Sequence, residues 1–136
     1  MSEAPELVLD ASALLAYLRD EPGIDVVRKA LQKRTAISAV NWAEVLSKLV
    51  DLGYDPNVVA QQLRDQGLIG AALLIWPFDE DQARGVAGLR IQGRPLGLSI
   101  GDRACLALAA QLNVPVLTAD QAWSKVKTSV AVRVVR

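Results

Sequence analysis

Short apolar runs, each followed by a stretch of helical period, recur along the chain with few hairpin signals, and this alternation predicts a three-layer α/β domain on a mainly parallel sheet. Residues 6–10 read as a first strand, and Ala11-Ser12-Ala13-Leu14-Leu15-Ala16-Tyr17-Leu18 favours helix by composition. Pro22 is expected in the first turn of a second helix over about residues 23–33, with Ile24, Val27 and Leu31 on one side. A strand follows over 35–38. Trp42, Val45, Leu46, Leu49 and Val50 then fall at i, i+3, i+4, i+7 and i+8, a helix that Gly53 stops. Asp55-Pro56 opens the next helix as N-cap and first-turn proline. A strand over 71–76, a helix over 79–92, a loop over 93–97, a buried helix over 100–112 and strands over 114–118 and 130–135 complete the pattern. No repeat, linker or low-complexity tract interrupts it, so residues 1–136 are expected to form one domain.

Composition narrows the chemistry. No histidine is present, which removes the commonest general base and the usual zinc ligand. The single cysteine, Cys105, lies in an apolar helix and reads as core, with no partner for a disulfide or a thiolate zinc site. Hydrolysis would therefore rest on carboxylates, hydroxyls, cations or a metal. Fifteen basic residues balance fifteen acidic ones, so bulk charge does not announce a nucleic-acid binder. The 51% hydrophobic content hints at a partner surface as well as a core. No apolar run reaches the roughly 18 residues of a membrane span, and the acidic start Met1-Ser2-Glu3 is not that of a secretion signal. A cytoplasmic protein without membrane contact is expected.

Four acids mark the places where a hydrophobic run changes character. Asp10 and Asp120 close predicted strands, while Glu44 and Asp102 are expected in the first turns of predicted helices beginning near Ser38 and Ser99. A parallel sheet would carry all four to one edge, since ligands of open α/β folds bind beyond the carboxyl ends of the strands. Each also has a plainer explanation. Asp10 and Asp120 read as N-caps, Ser99-Ile100-Gly101-Asp102 has capping-box spacing, and Glu44 has Lys48 one turn on as an ion-pair partner. Helical projection places Asp102 over the Cys105, Leu106 and Ala109 stripe, where a carboxylate needs a partner, and Glu44 on the polar face with Asn41, Lys48 and Asp51. Four converging carboxylates would repel one another unless divalent cations intervene, and oxygen-only ligands favour Mg²⁺ or Mn²⁺.

Asp10-Ala11-Ser12-Ala13-Leu14-Leu15-Ala16, Asn41-Trp42-Ala43-Glu44-Val45, Gly101-Asp102-Arg103-Ala104-Cys105-Leu106-Ala107-Leu108-Ala109 and Leu117-Thr118-Ala119-Asp120 together resemble the PIN-domain ribonucleases, especially VapC-type toxins of bacterial toxin–antitoxin pairs. The resemblance spans nearly the whole chain in family order. It implies a five-stranded sheet in the order 3-2-1-4-5 flanked by helices, and Mg²⁺-dependent hydrolysis of RNA, with Mn²⁺ as a possible substitute. Asp10, Glu44, Asp102 and Asp120 would be the catalytic, metal-binding set, with Ser12 and Thr118 as supporting hydroxyls. A homodimer silenced by a VapB-type antitoxin is implied as well. The fourth acid varies in the family, which keeps the N-cap reading of Asp120 open.

Other α/β readings fare worse. A receiver domain wants a phosphorylatable aspartate after a central strand and a lysine after a late one, a DxD phosphatase wants an acid where Ser12 stands, and a flavodoxin wants a phosphate loop where Leu14-Leu15-Ala16 stands. A PIN-like or other α/β binding module that does not cut RNA is the remaining alternative. Arg19, Arg28, Lys29, Lys33, Arg34 and Arg103 are candidates for a basic rim or solvated helix faces, and Trp76 and Trp123 either stack a base or pack.

Overall fold

In the computed structural model, residues 4–136 are described, and the acidic start Met1-Ser2-Glu3 lies outside them. Strands β1 (Leu7–Leu9), β2 (Thr35–Ser38), β3 (Leu73–Trp76), β4 (Val116–Thr118) and β5 (Val132–Val134) pair in parallel in the order β3-β2-β1-β4-β5, as the resemblance implies. Period-2 alternation sorts their side chains into two cores. Leu7, Leu9, Ile37 and Leu117 face one side, and Val8, Ala36 and Val116 face the other.

Helices α1 (Ala11–Leu18), α2 (Ile24–Ala30), α3 (Ala39–Asp51) and α4 (Pro56–Asp65) contribute to the first core through Leu14, Val27, Val45 and Leu63. On the opposite face α7 (Ile100–Leu112) lays Cys105, Leu106, Leu108 and Ala109 against the sheet. Helix α5 (Glu80–Gly88) packs outside α7, with Val86 against Ala104 and Ala107. The short α6 (Arg90–Gly93) and a 3-10 turn over Arg94–Leu96 connect them. Among the described residues no helix is long and apolar enough to cross a membrane.

Three expectations need correction. Pro22 stands before α2, not in its first turn: Gly23, at φ 98°, is the N-cap, and the helix ends at Ala30. Glu44 is the sixth residue of α3 and so lies in the second turn. Residues 93–97 are not a plain loop, since the end of α6 and the 3-10 turn occupy most of that span. Pro95 supports that turn because its fixed φ suits the first helical positions.

Candidate active site

The chain lays β2 and then β3 on one flank of β1 and returns to lay β4 on the other. Between β1 and β4 the order reverses, and beyond their carboxyl ends lies the crevice that open parallel sheets use for ligands. Asp10 directly follows β1, Thr118 ends β4, and Asp120 lies two residues further. Helices α3 and α7, which pack on each other, bring in Glu44 and Asp102. All four carboxylates line one cleft of about 300 Å³, together with Ser12, Asn41, Lys48 and Trp123. Three grooves are larger: two, of about 500 and 670 Å³, are lined mainly from α1 to α4 and hold no acid, and one of about 570 Å³, between α5 and α7, holds Asp81 alone.

Capping and convergence are not alternatives here. Asp10 is the N-cap of α1: its Oδ1 accepts from the Ala13 N–H at 2.8 Å and from Ser12 Oγ at 2.7 Å, and its Oδ2 accepts from Thr118 Oγ1 at 2.5 Å. Ser12 Oγ and Thr118 Oγ1 stand 3.2 Å apart, and Ser12 Oγ also accepts from the Ala119 N–H at 2.9 Å. The two hydroxyls thus lock the end of β4 to the start of α1. Asp120 Oδ1 accepts from the Ala122 N–H at 2.9 Å, and Asp102 Oδ2 accepts from the Ser99 N–H at 2.9 Å in a complete capping box. The partner expected for Asp102 is therefore backbone, at least for one oxygen. Each cap occupies one carboxylate oxygen. Among the described residues, Asp102 Oδ1 and Asp120 Oδ2 carry no protein hydrogen bond.

Glu44 is held differently. Asn41 Nδ2 donates to Glu44 Oε1 at 2.8 Å and to the Gly101 carbonyl at 2.9 Å. The carboxylate rests where a side chain on Gly101 would begin, since a Cβ there would meet Oε1 and Oε2 at 2.5 Å. Asn41 itself is buried, and its Oδ1 has no partner among the described residues. The polar face of α3 was legible in the sequence, but not this bridge. The i, i+3 spacing of Asn41 and Glu44 signalled only the half of it that lies within α3.

Burial pushes the Asp10 carboxyl up to about 6, against hydrogen bonds from Thr118, Ala13 and Ser12 that lower it, and the charge of Asp102 raises it further. Cys105, one turn along α7 from Asp102, has its thiol raised first by burial and then by Asp10, Asp102 and Glu44. Three carboxylates thus act on one buried point. No three of the acids form a ready-made cage among the described residues. The donor set nevertheless fits a hard divalent cation: it is all oxygen, it gathers charge around a buried carboxylate, and Asn41 leaves an unpaired buried acceptor at the cleft wall.

The expected basic rim is not at this cleft. Arg19 pairs with Glu21 at 3.2 Å and Arg28 with Asp25 at 2.6 Å, and Arg103 is buried with its Nη1 donating to the Val86 carbonyl at 3.0 Å. None of the six basic candidates lines the cleft, whose cation is Lys48. Lys48 makes no ion pair with Glu44 among the described residues, so its charge remains available. Trp42 and Trp123 are buried and Trp76 packs against the second core.

Comparison with known proteins gives a consistent outcome. A family model described as PIN domain matches residues 7–128. Ribonuclease VapC42 of Mycobacterium tuberculosis is 30% identical over 118 residues, which cover 82% of this chain and 88% of that protein. Among solved structures, the VapBC-5 toxin–antitoxin system of Mycobacterium tuberculosis aligns with TM-score 0.59 and 30% identity over 97% of this chain and 99% of that one. A toxin–antitoxin complex from Klebsiella pneumoniae aligns with TM-score 0.71 over 96% and 98%, at 16% identity, a likeness of fold.

Proposed function

The chain belongs to the PIN-domain family, and from that premise we propose that residues 1–136 form one PIN domain acting as a cytoplasmic, metal-dependent endoribonuclease toxin of a toxin–antitoxin pair. The observation that carries this reading is the meeting of Asp10, Glu44, Asp102 and Asp120 in one cleft at the switch point of the sheet.

Asp10, Glu44, Asp102 and Asp120 would hold Mg²⁺, or Mn²⁺ in its place. When bound, such a cation supplies Lewis-acid stabilisation for the charge that develops during phosphodiester hydrolysis, in a chain that has no histidine to do acid–base work. Ser12 and Thr118 hold Asp10 in one orientation through both of its oxygens. Lys48 offers an unpaired positive charge to a backbone phosphate of the RNA at the same cleft.

Several of the similar solved chains come from toxin–antitoxin systems, which supports a VapB-type antitoxin as partner; a homodimeric toxin is part of the same proposal. Exposed Val50, Leu52, Tyr54 and Val58 on and after α3 and on α4 provide apolar surface suited to such contacts. Cleavage of RNA by the purified chain with Mg²⁺ is the test. Asp10→Asn and Asp102→Asn, if folded, should each lower the rate by more than about a hundredfold, beyond what loss of an outer-shell partner costs. Cleavage that persisted in EDTA would overturn the metal reading, and RNA affinity without product would favour a binding module.

A further inference from the structure

Asn41 lies one helical turn before Glu44 on α3 and is 1% exposed. Both groups that its Nδ2 reaches, Glu44 Oε1 and the Gly101 carbonyl, are acceptors, which fixes the orientation of the amide. Its Oδ1 is then left buried without a donor, an uncommon state for a group serving only to fill a core. The bridge also has a special address. It joins the acid of α3 to the residue immediately before the acid of α7, at a glycine whose missing side chain admits the Glu44 carboxylate.

Resting on the metal-dependent reading above, we propose that Asn41 is a positioning residue: its amide pins the Glu44 carboxylate to the Gly101–Asp102 turn so that acids from two different helices face one cation. Without that tie Glu44, an exposed side chain with three rotatable bonds, must be ordered by the cation itself. Alignment before binding removes that cost. Lys48, one turn further along α3, lies in the same cleft but makes no bond among the described residues that could do this.

The test is Mn²⁺ binding to the full, metal-free chain, measured calorimetrically for wild type, Asn41→Ala, Glu44→Ala and the double variant. Asn41→Ala should weaken Mn²⁺ binding by about ten- to a hundredfold, the range for outer-shell partners of a metal site. In the Glu44→Ala background the same change should cost less than about twofold, because the residue through which Asn41 acts is gone. Wild-type affinity in Asn41→Ala would overturn the proposal, as would an equal loss in both backgrounds, which marks a general packing role. If Asn41→Ala does not fold, Asn41→Ser carries the test, since its hydroxyl can donate to only one of the two acceptors and should also weaken binding. Absence of Mn²⁺ binding by the wild type would overturn the metal reading itself, and this inference with it.

Discussion

At Asp10 one side chain serves two ends that conflict in the metal-free protein. As N-cap of α1 and acceptor from Thr118 it belongs to the framework, yet its burial opposes the charge that those donors reward. The shift of its carboxyl from 3.8 to about 6 has a definite sign for stability. Below pH 3.8 the folded and unfolded chains both carry the proton, between 3.8 and about 6 only the folded chain keeps it, and above that neither does. Stability from this group is therefore fully present at low pH and is lost as pH rises through about 6, a loss of about 3 kcal/mol. Asp10→Asn should remove that decline, so that in EDTA the variant is more stable than wild type at pH 7.5 and the two draw together near pH 4. Urea denaturation at several pH values measures this, and a wild-type profile matched by the variant would contradict it.

Helices α3 and α7 show how an element places chemistry, and Gly101 is where they meet most tightly. A Cβ at this position would lie 2.5 Å from the Glu44 carboxylate oxygens, but the obstacle is the end of a flexible side chain. Gly101→Ala should therefore displace Glu44 at little cost to the fold, with helix propensity returning up to about 1 kcal/mol. The expected signature is a melting temperature equal to or above wild type, with Mn²⁺ affinity down about tenfold. Loss of stability with intact binding would refute it. The same elements show what was legible in the sequence. Helix α3 was readable from its apolar period, α1 from its composition behind the cap Asp10, and α7 from its nearly all-apolar run behind a capping box, and convergence of the acids followed from a parallel sheet. The start of α2 was misread because Gly23 takes a positive φ and forms the N-cap in place of the turn begun by Pro22. The Asn41–Gly101 bridge depends on how two distant helices cross, and the cation rim on where long side chains find local acids, as Arg28 finds Asp25. Neither is written in a local pattern.

For the whole molecule, zero net charge conceals an uneven distribution, with four acids sharing one cleft and Lys48 the cation beside them. Ligation that exists only in the folded chain couples a cation to global stability. At a free concentration about a hundred times its dissociation constant, the gain is about 2.7 kcal/mol. For a chain of 136 residues this corresponds to roughly 9 °C in melting temperature. The proton on Asp10 competes with the cation, so the shift should be full at pH 7.5 and shrink as pH falls below about 6, where affinity should drop about tenfold per unit. This trend is opposite to that of the metal-free protein, whose Asp10 contribution grows as pH falls. Thermal melts with Mg²⁺ or EDTA across that range should therefore converge at low pH and separate at neutral pH, and Asp10→Asn should reduce the separation throughout. A cation shift independent of pH, or retained in full by Asp10→Asn, would mean that the ion binds somewhere other than beside this buried carboxylate.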